Sequence, residues 1–166
     1  MNKEKILAGL KESILTEQTG RSFYDVAAQN TADEQGRETF RMLAQEEENH
    51  LAFLARNYAH LLAGEPVEPL EAGPSLLDGP SPVFSPALKA RIAEAHWEMT
   101  ALSVGLQLEQ ATIERYRRLA EEAGPGPVAD FYKSLARWEE THAAALKRQS
   151  EYLLESYWAS ARFAPF

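Results

Sequence analysis

Two stretches of the chain end in the same pattern: residues 43–50 read LAQEEENH and residues 135–142 read LARWEETH. Both close on Glu-x-x-His, formed by Glu47 with His50 and by Glu139 with His142. Residues at i and i+3 lie on one face of an α-helix, so both side chains of a pair can point at one centre. A single pair is a weak signal, because the chain has 25 acidic residues. Chance and a paired metal site are the two alternatives at this point.

The two stretches are 92 positions apart, and the same offset aligns residues elsewhere in the chain. It places Glu17 on Glu109, Tyr24 on Tyr116, Phe40 on Tyr132, and Leu43-Ala44 on Leu135-Ala136. Glu17 and Tyr24 are two helical turns apart, so they share a helix face, as do Glu109 and Tyr116. One offset that serves both ends of the chain indicates two copies of one helical hairpin.

The composition favours an all-α protein, because helix formers dominate and runs of strand-forming residues are missing. A formal charge of −8 argues against a nucleic-acid-binding protein. The absence of cysteine excludes disulfides, thiolate zinc sites and iron–sulfur clusters from this chain. No apolar run approaches the roughly 18 residues of a membrane span, and the N-terminus shows no signal-peptide pattern. We therefore expect a cytoplasmic protein without a membrane anchor.

Hydrophobic residues recur every three or four positions in four long segments. The expected helices run from about Lys3 to Asn30, from a capping box at residues 31–34 to about Leu62, from Ser85-Pro86 to just before Gly124, and from Pro127 towards Ser160. The Ser85-Pro86 helix is expected to continue without a break through Ile92 and Leu102.

Six of the nine prolines fall between Pro66 and Pro86, and no regular helix tolerates that density. The segment is either a linker between two hairpin domains or a crossover within one bundle. Isolated hairpins bury little core, so we expect a single domain over residues 1–166. Its expected parts are a hairpin at 3–62, a proline-rich crossover at 63–85, a hairpin at 86–160 and an aromatic tail at 161–166. Leu70, Leu76, Leu77, Val83 and Phe84 are expected to hold the crossover against the bundle.

Folding the two hairpins around a pseudo-twofold axis would bring four carboxylates and two imidazoles together. Four carboxylates carry −4, which balances two divalent ions and makes burial of the cluster tolerable. Mixed carboxylate and imidazole ligands suit iron or manganese better than calcium or structural zinc.

This residue set resembles the ferritin-like superfamily and, within it, the rubrerythrin-like branch, over roughly residues 3–160. The resemblance is carried by residues 17–24, by Glu47-Glu48-Asn49-His50, by Glu109 with Tyr116, and by Glu139-Glu140-Thr141-His142. It implies a ferritin-like four-helix bundle with one long crossover between helices two and three, and two bound iron ions, with manganese as the alternative.

The resemblance also implies a role for each site residue. Glu17 and Glu109 would be terminal metal ligands, Glu47 and Glu139 would bridge the metals, and His50 and His142 would each bind one metal. Tyr24 and Tyr116 would hydrogen-bond carboxylates across the site and are the candidate catalytic residues.

Two departures from rubrerythrins bear on the activity. Rubrerythrins usually carry a further glutamate one turn past the third-helix ligand, where this chain has Thr112, and Glu114 points away from that face. Rubrerythrins proper also carry a four-cysteine rubredoxin domain, which this cysteine-free sequence lacks, so turnover would need an external electron donor.

The resemblance implies a non-haem di-iron oxidoreductase that reduces peroxide or O₂, in a protein that pairs as a homodimer. The alternative is a ferroxidase or iron-storage subunit of a ferritin-like assembly. A ferritin-like oxidase of an organic substrate and a bundle that binds no metal are the remaining hypotheses.

Several other residues are expected to be structural and not to bind metal. Glu46, Glu48 and Glu140 lie about 100° from the ligand direction and are expected to be solvated. His60 and His96 lack histidine counterparts at the offset of 92 and are expected at the surface or an interface. The tryptophans at 97, 138 and 158 are expected to fill core or interface.

Overall fold

The computed structural model describes residues 2–68, 84–90, 92 and 95–160. Five helices make up the regular structure of this part of the chain, and it contains no strand: α1 Lys3–Asn30, α2 Glu34–Ala63, α3 Pro86–Ala90, α4 His96–Ala123 and α5 Pro127–Ser160. The predicted all-α class is therefore confirmed. The crossover leucines at 70, 76 and 77, Val83 and the aromatic tail at 161–166 lie outside the described residues. Phe84, at the end of the crossover, is fully buried.

The turn between α1 and α2 is capped differently from the prediction. Thr31 is not the N-cap of α2: it ends α1, and its hydroxyl donates to the Ala27 carbonyl at 2.8 Å. Asp33 is the N-cap instead, and its carboxylate accepts the Gly36 N–H at 3.0 Å. A charged carboxylate is the better acceptor at a helix N-terminus, which accounts for the shift of two residues.

The third long helix begins later than predicted. Ser85 caps a helix as expected, accepting the Leu88 N–H at 3.2 Å, but that helix is the short α3. The long α4 starts at His96, and its cap residue Ala95 has no side-chain cap. Leu88, Ile92 and Ala95 are all buried at spacings of four and three. Hydrophobic spacing therefore continues through the break, which is why periodicity alone predicted one helix.

The end of the crossover is fastened to the first hairpin. The Asp33 carboxylate accepts hydrogen bonds from both the backbone N–H and the hydroxyl of Ser85. The Phe84 ring packs against Gly36, where a Cβ would come within 2.3 Å of it. Glycine at position 36 is therefore required by the close approach of this ring.

The four long helices form a bundle in which α1 packs on α2, α4 packs on α5, and α1 also contacts α4. Two apolar clusters fill its interior. One contains Tyr24, Phe40, Leu43, Leu102 and Leu146. The other contains Leu10, Leu54, Tyr116, Tyr132 and Leu135. Buried carboxylates and imidazoles lie among these apolar side chains. No helix in the described part of the chain is both long and apolar enough to cross a membrane.

The offset of 92 is visible in the packing. Tyr24 stacks on Phe40 with ring centroids 6.3 Å apart, and Tyr116 stacks on Tyr132 at 6.2 Å. The same pair of aromatic positions thus performs the same packing role in each hairpin.

Candidate metal centre

Six acidic and histidine side chains from all four long helices converge in the bundle interior: Glu17 from α1, Glu47 and His50 from α2, Glu109 from α4, and Glu139 and His142 from α5. None is more than 3% exposed. They form two overlapping sets of four, which share Glu47 and Glu139, and within each set the donor atoms lie within 4.8 Å of one another. Two adjacent ions could be held by these sets.

The two histidines present the same ring nitrogen to the cluster. His50 Nδ1 lies 2.9 Å from Glu139 and 3.0 Å from Glu17. His142 Nδ1 lies 3.2 Å from Glu139 and 3.8 Å from Glu109. The rings are almost parallel, with centroids 5.3 Å apart and an interplanar angle of 9°. Each Nδ1 therefore belongs to one of the two sets.

Two tyrosines connect α1 and α4 across the cluster. Tyr24 on α1 donates its hydroxyl to Glu109 on α4, and Tyr116 on α4 donates to Glu17 on α1. Burial, followed by the neighbouring carboxylates, raises the pKa of both phenols well above its ordinary value. Both hydroxyls therefore keep their protons and act as donors that orient the two carboxylates.

The electrostatics of the cluster are strained without a counter-charge. Burial, and then repulsion from Glu139, raises the pKa of both Glu47 and Glu109. Burial also opposes ionisation of Glu139, but His50 and His142 on either side hold its pKa well below the usual range. Burial lowers the pKa of the two histidines, yet the surrounding carboxylates raise it well above its ordinary value. Glu139 is thus the carboxylate that carries a charge between two imidazoles.

The donor atoms fit a pair of metal ions. Among the described residues, Glu47 Oε2 is buried without a hydrogen-bond partner, and the oxygens of Glu139 lie close to the two imidazoles without a hydrogen bond of normal geometry. Unpaired buried polar atoms are costly and normally have a partner, such as a bound ion. Carboxylate oxygens with imidazole nitrogens suit iron or manganese. All the predicted site residues are brought together, and their role as ligands remains a prediction.

Comparison with known proteins identifies the family. The rubrerythrin family model matches residues 9–149, a range that contains all six converging residues. The chain belongs to the rubrerythrin family. It is also similar to symerythrin of Cyanophora paradoxa, with 31% identity over 134 residues that cover 81% of this chain and 73% of symerythrin. No solved structure matches it. The predicted resemblance to rubrerythrins is confirmed.

A cavity of about 310 Å³ lies between α1 and α4 and reaches the cluster. Glu17, Glu47 and Glu109 line its inner part. Gly20 and Thr112, which the offset of 92 pairs, lie on its walls. Thr112 is buried and donates its hydroxyl to the Leu108 carbonyl, and Glu114 is exposed. The space that a longer side chain at either position would occupy is therefore part of this cavity.

One expectation about the neighbouring acids is wrong. Glu46 is not solvated: it is 3% exposed, and its carboxylate contacts Nε2 of His142. Helical spacing placed it 100° from the ligands, but that direction faces α5 rather than solvent. Glu48 and Glu140 are half-exposed and pair with Arg21 at 2.6 Å and Arg117 at 2.7 Å.

Of the remaining histidines and tryptophans, some lie at the surface and one contacts the site. His60 is partly exposed beside Glu65 and Glu68, and His96 is exposed. Trp97 is 38% exposed. Trp138 packs against His50, with ring centroids 3.9 Å apart, so it contacts the site rather than only the core. Periodicity identified these faces but could not show which neighbouring helix covers them.

Proposed function

We propose that this rubrerythrin-family protein is a di-iron oxidoreductase that reduces peroxide or O₂. The observation that carries the proposal is the pair of overlapping four-residue sets that share Glu47 and Glu139. Two iron ions bound there would supply the two electrons that, with two protons, convert hydrogen peroxide to two water molecules. Because the chain contains no cysteine, an external donor would return the electrons.

Each residue has a proposed role that follows from its place in the sets. Glu47 and Glu139 belong to both sets and would bridge the two ions. Glu17 with His50 would complete one position, and Glu109 with His142 the other. Four carboxylates balance the charge of two divalent ions, so the metals would relieve the repulsion that raises the pKa of Glu47 and Glu109.

The tyrosines would hold the terminal carboxylates in place during turnover. Each hydroxyl donates to one terminal carboxylate. This hydrogen bond would keep the carboxylate in position when the charge of the metal changes. Their raised pKa values keep the protons on the phenol oxygens, so neither tyrosine would serve as a base near neutral pH.

The cavity between α1 and α4 would admit the oxidant. Its lining includes the buried Glu47, the partly buried Arg115 and the exposed Arg118, so it joins the cluster to the surface. Peroxide and O₂ fit this route, and the apolar clusters keep bulk water from the rest of the site.

The activity is tested by loading the metal-free protein with ferrous iron under anaerobic conditions and mixing it separately with peroxide and with O₂. We expect bound iron at two per chain and oxidation by at least one oxidant faster than that of free ferrous iron. Oxidation by both at the rate of free iron would refute the enzymatic proposal, while two bound irons would still support the metal centre.

A ferroxidase or storage subunit is the second candidate, and the threonine at position 112 favours it. The extra carboxylate expected for rubrerythrin-type peroxidase chemistry is missing at this place. Size-exclusion chromatography separates the candidates, because a ferritin-like cage elutes far ahead of the proposed homodimer of about 37 kDa, twice the 18.6 kDa chain.

A further inference from the structure

The two histidines have different neighbours at one pair of positions related by the pseudo-twofold symmetry. Glu46 and Trp138 are related by the offset of 92, and each immediately precedes a shared glutamate. Each also contacts the histidine of the opposite hairpin: Glu46 on α2 contacts His142 on α5, and Trp138 on α5 contacts His50 on α2. The two positions therefore perform the same packing role with different chemistry.

The contacts fall on the outer side of each imidazole. Nδ1 of both histidines faces the carboxylate cluster. Nε2 of His142 is bonded to the Glu46 carboxylate. Nε2 of His50 is buried and has no hydrogen-bond partner in the described part of the chain, and the Trp138 indole packs against that ring. Among the described residues, therefore, a carboxylate contacts Nε2 of His142 but none contacts Nε2 of His50.

We propose that Glu46 is a positioning residue that makes the two metal positions unequal, so that the position containing Glu109 and His142 binds a divalent ion more tightly than the position containing Glu17 and His50. This inference rests on the proposed metal centre. A carboxylate on the outer nitrogen fixes the tautomer of an imidazole with its other nitrogen free for metal, and it makes that nitrogen a stronger donor. Within the described ranges, His50 has no such carboxylate at Nε2.

The burial of Glu46 supports a specific role. A carboxylate is rarely buried unless it is paired, and at 3% exposure Glu46 loses nearly all of its hydration. A neutral side chain of similar size would fill the same space without that loss. The charge is useful if His142 binds a cation through Nδ1, because Nε2–H then becomes a stronger hydrogen-bond donor.

Metal-binding titrations on single-position variants test the inference without enzymatic turnover. The probe is Co²⁺, added to the metal-free protein and followed by calorimetry and by the visible absorption of the bound ion. We expect two Co²⁺ per chain with unequal affinities in the unmodified protein. In the His50→Gln background, which leaves the position with Glu109 and His142 intact, adding Glu46→Gln should weaken Co²⁺ binding by about 10-fold to 100-fold.

The matched control is the opposite background. In His142→Gln, which leaves the position with Glu17 and His50, adding Glu46→Gln should leave Co²⁺ affinity unchanged. Glu46→Asp, which keeps the charge, should restore part of the affinity that Glu46→Gln loses. If Glu46→Gln does not fold, the comparison of Glu46→Asp in the two backgrounds gives the same test.

The possible failures are distinguishable. No Co²⁺ binding by the unmodified protein would refute the proposed metal centre. Equal affinities for the two Co²⁺ ions in the unmodified protein would leave the metal centre in place and overturn the role of Glu46. So would an equal loss of Co²⁺ affinity on Glu46→Gln in both backgrounds. A spectral change confined to the background that retains His142 would support it.

Discussion

Tyr24 on α1 donates its hydroxyl to the Glu109 carboxylate on α4, and this bond joins the two hairpins through the candidate metal centre. The pseudo-equivalent bond, from Tyr116 to Glu17, runs in the opposite direction between the same helices. Both acceptors are proposed metal ligands. The contact between the two hairpins and the binding of metal therefore depend on the same carboxylates.

Removing one of these hydroxyls should weaken the contact between the two hairpins. Tyr24→Phe keeps the ring but leaves the buried carboxyl group of Glu109 without its donor, and a buried polar group left unsatisfied costs about 1–3 kcal/mol. We expect a loss of that order in the free energy of unfolding of the metal-free protein, measured with urea. Tyr58→Phe, at a partly buried position outside the cluster, is the control and should change little. Equal losses in both variants would contradict the prediction.

The two bridging glutamates should differ in the metal-free protein. Glu139 lies between two histidines, so Glu139→Gln breaks a buried ion pair and should destabilise by about 3–5 kcal/mol. Burial and the neighbouring Glu139 both oppose ionisation of Glu47, so Glu47→Gln should raise Tm. Both variants should lose most bound metal. Unchanged metal content in the double variant would mean that the cluster is structural and binds no metal.

The stability of the metal-free protein should fall as the pH rises above mildly acidic values. Raised histidine pKa values contribute stability that is complete below about pH 6.5 and is lost as the pH rises through the folded-state values. The raised pKa values of Glu47 and Glu109 make ionisation costly, so they too reduce stability above about pH 4.3. The lowered pKa of Glu139 contributes stability above about pH 4.3 that is lost in stronger acid.

Together these signs place the maximum Tm of the metal-free protein between about pH 4.5 and 6.5. Bound metal should reverse the trend, because ions compete with protons for the same atoms and bind more tightly at higher pH. The rise in Tm on adding Co²⁺ should therefore be larger at pH 8 than at pH 6. A metal-induced rise that is independent of pH would argue against binding at these carboxylates and imidazoles.

Narrowing the cavity should slow oxidation when variants are compared at equal iron content. A Cβ at position 20 would lie 3.2 Å from the Glu47 carboxylate, so Gly20→Ala is tight and Gly20→Val fills more of the cavity. We expect the rate at which peroxide oxidises the ferrous protein to fall in the order Gly, Ala, Val at position 20. Stopped-flow absorbance at equal iron content measures this rate. Thr19→Val, which adds no length at an exposed part of the same wall, is the control. An unchanged rate in Gly20→Val would exclude this route.

Much of this molecule could be predicted because the repeat restricts where residues lie. Glu-x-x-His at one helical spacing fixes a shared face, and the offset of 92 adds Glu17 and Glu109 from the other helices. The break before α4 escaped prediction, since Leu88, Ile92 and Ala95 keep helical spacing through it. The position of the α2 N-cap differs from the prediction because Thr31 and Asp33, two residues apart, both satisfy the local rule for an N-cap.

By itself the sequence determined the helical class, the rubrerythrin-like family and the six residues that meet, because helical period and an internal repeat are properties of local order along the chain. Only the tertiary structure decided which side chain from the opposite hairpin contacts each histidine ring. Glu46 and Trp138 occupy equivalent positions in the repeat, yet one holds His142 through a carboxylate and the other covers His50 with a ring. A helix sequence fixes the direction in which a side chain points, but the packing of the neighbouring helix determines what it contacts.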